Sequence, residues 1–176
     1  MPVGNDALRR RRFSVCQWMT ALLGWILLAQ NVDPARAQTP SEEYKLKAVF
    51  LFNFVQYVDW PDSKFSAPDS PIVIGVLGAN PFGEVLEETV ANETVKKRKI
   101  VVEHYRSVKE IKDCQVLFIS ASESRKLYST LARLKNRNIL TVSDIDLFSE
   151  DGGMIGFMTE NNKIRFQINQ EVAKKS

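Results

Sequence analysis

Between positions 40 and 60 apolar residues recur on more than one helical face. Tyr44, Ala48, Leu51, Phe52 and Val55 share one side of a helix, while Leu46, Phe50, Phe54 and Tyr57 cover much of the other. Thr39-Pro40-Ser41-Glu42 fits a capping box with proline in the first turn. Trp60-Pro61 stops the helix near Asp59, because a residue before proline avoids the helical region. A helix that is apolar on nearly all sides needs partners on two of them, so this one belongs in a core or at an interface.

After a polar, proline-bearing loop (62–71), short apolar runs alternate with helical patterns. Ile72–Leu77 is continuous, as expected of a parallel strand covered on both faces. Asn80-Pro81 reads as the start of a helix, with Phe82, Val85, Leu86, Thr89 and Val90 along one face. Ile100–Tyr105 reads as a second strand. Ser107-Val108-Lys109-Glu110 reads as a capping box that opens a short helix, and Val116–Ile119 as a third strand. A helix opening at Ser122 turns Leu127, Leu131 and Leu134 inward. Ile139–Val142 is a fourth strand, with Ser143-Asp144 capping one turn through Phe148. Ile164, Phe166 and Ile168 then alternate with Arg165 and Gln167 behind Glu160-Asn161-Asn162-Lys163, the pattern of an antiparallel hairpin with the segment 152–158. These units predict a compact three-layer α/β domain, its sheet mixed and mostly parallel, closed by a C-terminal antiparallel hairpin. The pattern leaves the strand order open.

The first 37 residues follow a different logic. Arg9–Arg12 precede an apolar run, Val15–Ala29, and Ala35-Arg36-Ala37 supplies a small-x-small site. This is the layout of a secretory signal peptide cleaved after Ala37. The run is shorter than the ~20 residues that span a bilayer as a helix, although an uncleaved anchor is the competing reading, and Arg10-Arg11-Arg12-Phe13 also resembles a twin-arginine signal. The organisation expected is therefore 1–37 as leader and 38–176 as one domain, placed in the periplasm. The leader holds five arginines and two aspartates, so its removal takes 24 basic and 21 acidic residues to 19 of each. The basic balance belongs to the leader, and a neutral mature chain gives no case for nucleic acid binding. Cys16 leaves with the leader. Cys114 remains as a lone free thiol beside an apolar strand, where burial and inertness are expected.

Candidate chemistry is sparse. His104 is the only histidine, so no zinc ligand cluster exists. Ser120, Ser122, Ser143 and Asp144 lie at strand ends but lack a G-x-S-x-G elbow, and caps are the expected role. No catalytic residue, metal or cofactor is expected, and the chain does not read as an enzyme. The strand-to-helix loop with Gly78, Asn80 and Gly83 occupies the place where α/β sheets bind small ligands, without the spacing of a Walker or dinucleotide motif. Lys96–Lys99 reads as a solvated loop. The aromatics Phe50, Phe52, Phe54, Tyr57 and Trp60 are candidates for contact with another chain.

Several blocks resemble the YfiR/HmsC family. They are Lys47-Ala48-Val49-Phe50-Leu51-Phe52-Asn53-Phe54 running on to Trp60-Pro61, Ile74–Gly78 with Asn80-Pro81-Phe82-Gly83, Cys114–Ser120, Ile139–Asp144, Gly152–Phe157 and Ile164–Asn169. The resemblance implies a small periplasmic protein, often a homodimer, without catalysis. It implies binding to the periplasmic sensor region of an inner-membrane diguanylate cyclase, whose repression lowers cyclic di-GMP and biofilm formation, and sequestration by an outer-membrane lipoprotein. Some members carry two disulfides. Cys114 matches one of those cysteines, but no second cysteine follows residue 37 here, so an internal redox switch does not carry over. On this reading the first helix is assigned to self-association and the hairpin, with Arg165 pointing outward, to the partner. The alternative is a periplasmic sensor that binds a small ligand at the Gly78–Gly83 loop and has no cyclase partner.

Overall fold

The computed structural model describes residues 42–161 and 163–175. The expected leader, its cleavage site and the Thr39-Pro40 cap lie outside the described residues. Helix α1 spans Glu42–Tyr57, with Glu42 and Glu43 in its first turn, where negative charge complements the helix dipole. The strands are β1 (Ile72–Leu77), β2 (Thr94–Val95), β3 (Arg98–Tyr105), β4 (Val116–Ile119), β5 (Leu140–Ser143), β6 (Ile155–Glu160) and β7 (Lys163–Ile168). Three more helices, α2 (Val85–Val90), α3 (Leu127–Leu134) and the short α4 (Gln170–Ala173), complete the described elements together with two 3₁₀ turns.

The sheet runs β2-β3-β1-β4-β5-β6-β7. Its five central strands are parallel, and antiparallel pairs close both ends, β2 on β3 and β7 on β6. The continuous apolar runs have a simple cause. In β4, Val116 and Phe118 enter the core under α1 and α2, while Leu117 and Ile119 enter a second core under α3. Two cores on opposite faces of one sheet make the three layers. Gly75 in β1 shows how tight the second one is: a Cβ there would lie 2.6 Å from the Tyr105 ring and 2.9 Å from both Cys114 Sγ and Leu117. Only glycine fits.

Four local expectations are corrected. Asn80-Pro81 does not start a helix. The Asn80 carboxamide accepts from Phe82 N–H and donates to the Gly83 carbonyl, forming a turn, and α2 begins at Val85. Ser107 and Glu110 bond Lys109 N–H and Arg106 N–H within a turn, and no helix follows. The basic run is not a plain loop. Lys96 and Lys97, both at positive φ, form the two-residue turn of a β2–β3 hairpin, and β3 begins at Arg98. Ser143 caps the turn after β5 by accepting from Ile145 N–H, but Asp144 does not cap it.

Candidate interaction surface

The aromatic side chains of α1 divide by position. Phe54 is buried, and Phe52 and Trp60 are partly buried against the first core. Phe50 sits at the margin, with ring centroids 6.3 Å from Phe54, 5.9 Å from Phe157 and 5.6 Å from Phe166. Phe54 also meets Phe166 edge-on at 5.3 Å. The side of α1 that the sequence offered to another chain is thus largely satisfied by the protein's own hairpin. Tyr57 alone among these aromatics stands clear, 85% exposed.

What remains open is a strip that joins helix and hairpin. Leu46 and Val49 are exposed on α1, and Leu46 stands at helical spacing from both Val49, three residues on, and Phe50, four residues on. Phe166 is 40% exposed and Ile168, two residues on and so on the same face of β7, is 48% exposed. Val49, assigned to neither helical face from the sequence, belongs to this strip. Strand β7 is also the sheet edge, its outer N–H and C=O groups facing no strand among the described residues. Arg165 lies on the opposite face of β7, where its Nε is 2.9 Å from Glu160 Oε2.

The position of this strip depends on a buried charge pair that the sequence reading missed. Lys47 is 3% exposed, and its ammonium lies 2.6 Å from Asp144 Oδ2 and 2.6 Å from Glu43 Oε1. It also stands 4.4 Å from the centroid of the Tyr44 ring, whose hydroxyl donates to the same Asp144 oxygen at 2.7 Å. Burial, and then this bond to a carboxylate, raise the Tyr44 hydroxyl pKa well above its usual range. The pair ties the first turns of α1 to the end of β5. The available signal was a lysine inside an otherwise apolar helical segment.

The loop holding Gly78, Asn80 and Gly83 has little left to offer a ligand. Gly78 N–H donates to the Tyr105 carbonyl, Ala79 N–H to Ser122 Oγ and Val85 N–H to the Phe82 carbonyl. Gly78 has φ +93°, and a Cβ there would lie 2.4 Å from Ser122 Oγ, so the serine fills the crevice at the ends of β1 and β4. The remaining hydroxyls are also engaged. Ser120 Oγ accepts from Ser122 N–H, and Ser143 Oγ donates to the Ile119 carbonyl at 2.6 Å. His104 Nε2 faces Glu87 at 2.7 Å on β3. Among the described residues no serine is bonded to the histidine, and no three His, Cys, Asp or Glu side chains cluster to hold a metal.

Cys114 is buried with Sγ 3.0 Å from the Val116 carbonyl, and burial pushes its pKa up to about 12. The native thiol is expected to resist alkylation at pH 8 and to react at once in urea. Between pH 9 and 12 the unfolded thiol loses its proton while the folded one keeps it. Stability is therefore present below about pH 9 and falls as pH rises through this window, by roughly 1 kcal/mol per pH unit from this group. Urea midpoints across pH 8–11 should decline more steeply for the parent than for Cys114→Ala. Equal slopes would show that the thiol is not the cause.

Among the described residues no helix is long and apolar enough to cross a membrane. No curated protein matches the chain. The family model described as YfiR/HmsC-like (DUF4154) matches residues 44–176, which covers both cores, the Lys47–Asp144 pair and the whole helix–hairpin strip. The chain belongs to the YfiR/HmsC-like family.

Proposed function

We propose that the chain is exported, loses residues 1–37, and acts in the periplasm as a non-catalytic regulator. Residues 38–176 bind the periplasmic region of an inner-membrane diguanylate cyclase and hold it in its less active state, lowering cyclic di-GMP and biofilm formation. The observation that carries this reading is the family match over residues 44–176. A repressor must prefer the inactive cyclase, since equal affinity for both states shifts nothing.

The apolar strip of Leu46, Val49, Phe50, Phe166 and Ile168 is the surface assigned to the cyclase. Apolar and aromatic anchors beside an open strand edge favour it over Arg165, which is already paired with Glu160. Self-association and capture by an outer-membrane lipoprotein are assigned to the same strip. Its occupants then exclude one another, which is what sequestration of a repressor requires. The engaged N–H groups of the Gly78–Gly83 loop give the ligand-sensor alternative no comparable support.

The test is direct. Saturating protein 38–176 should slow cyclic di-GMP synthesis by the reconstituted membrane cyclase. Val49→Asp and Phe166→Asp, both at exposed positions, should weaken binding about 30-fold or more, the size of a hot-spot loss. An unchanged synthesis rate at saturation would remove the repressor reading. Undiminished binding by both variants would remove the surface.

A further inference from the structure

Between α3, β5 and α4, sharing no lining residue with the helix–hairpin strip, lies a cavity of about 350 Å³. Its walls are Leu131 and Leu134 of α3, Ile139, Met154 and Val172 of α4. Thr141 also borders it, but its hydroxyl is taken by Met154 N–H at 3.1 Å, so apart from Asn136 and two lysines the lining presents hydrocarbon. Charge enters the lining through two residues of one sign, Lys135 and Lys175. Lys175 pairs with Glu171 at 3.4 Å, whereas the Lys135 ammonium has no carboxylate partner among the described residues.

We infer that this cavity binds a medium-chain carboxylate, its chain against Leu131, Leu134, Ile139 and Met154 and its head on Lys135. The volume is near the lower end of the roughly 300–1,000 Å³ of small-molecule sites, which suits a chain of about ten carbons. An apolar body accounts for the lining, and a single negative charge accounts for an unpaired lysine at an apolar cavity. The mouth is positive in a domain whose total charge is balanced. A neutral amphiphile gains the first interaction and forgoes the second.

The experiment is calorimetric titration of the exported protein with decanoate and with decanol, alongside amide chemical-shift mapping. Decanoate should bind once per chain, shift the amides of Ala132, Asn136 and Gly152, and bind about tenfold more tightly than decanol. Lys135→Glu should weaken decanoate about tenfold and leave decanol within twofold. Ala132→Phe, at an exposed helix position that lines the cavity, should weaken both. Lys135 and Ala132 both lie on the surface, and the amide spectra of the variants show whether the fold is kept. The inference is overturned by absence of saturable decanoate binding below 1 mM, by shifts that map elsewhere, or by equal affinity for decanol. Decanoate affinity unchanged in Lys135→Glu overturns it equally.

Discussion

Asp144→Ala is expected to cost about 3–5 kcal/mol of folding stability, a large part of the roughly 5–15 kcal/mol a domain holds. The substitution leaves the Lys47 ammonium 3% exposed, with only the half-exposed Glu43 facing it. Lys47→Met should cost a similar amount, because Asp144 then keeps Tyr44 as its one donor among the described residues. The combination Lys47→Met with Asp144→Leu should recover most of the loss, since an apolar pair needs no counter-charge. Urea unfolding of the four proteins gives the coupling directly. Single-variant losses below about 1 kcal/mol would mean that water reaches the pair and that it does not hold α1. The prediction also touches function. Leu46 and Val49 lie one residue before and two after Lys47, so a loosened first turn misplaces the strip assigned to the partner, and Asp144→Ala should lose partner binding without any change to that surface.

The same pair marks where sequence reading stops. Strands β1, β4 and β5 were legible to within a residue or two, because runs such as Val116–Ile119 feed both cores and carry no polar interruption. The β6–β7 hairpin was legible from its period of two. Short-range chemistry was less decisive. Asn80, Ser107 and Glu110 make the bonds their types favour, but such bonds close turns as readily as they open helices. Strand β2 has two residues and carries no period. The Lys47–Asp144 contact spans 97 positions, and a lysine inside an apolar helical segment hints at burial without naming its partner. For the candidate surface, the aromatic richness of α1 was plain in the sequence. Which aromatics stay open was decided by Phe157 and Phe166, more than 100 residues away, and by the sheet order that brings β7 beside α1.

Phe82→Ala is expected to cost about 3–5 kcal/mol, the range for truncating a buried aromatic. Phe82 is fully buried, meeting Phe118 edge-on at 4.8 Å and Tyr44 edge-on at 5.4 Å. It anchors the Gly78–Gly83 loop to the floor of the first core and passes the restraint through Tyr44 to the start of α1. Asn80→Ala should cost only about 1 kcal/mol, because it removes the turn's side-chain bonds at an exposed site and creates no cavity. The contrast separates two roles for one loop. Were the loop a ligand site, Asn80→Ala would abolish ligand-dependent stabilisation while sparing the fold. As a structural clamp, it should make Phe82 costly and Asn80 cheap, with thermal midpoints that no small molecule shifts through this loop. Losses of equal size at the two positions would reject the clamp, since a buried ring and an exposed carboxamide have no other reason to weigh the same.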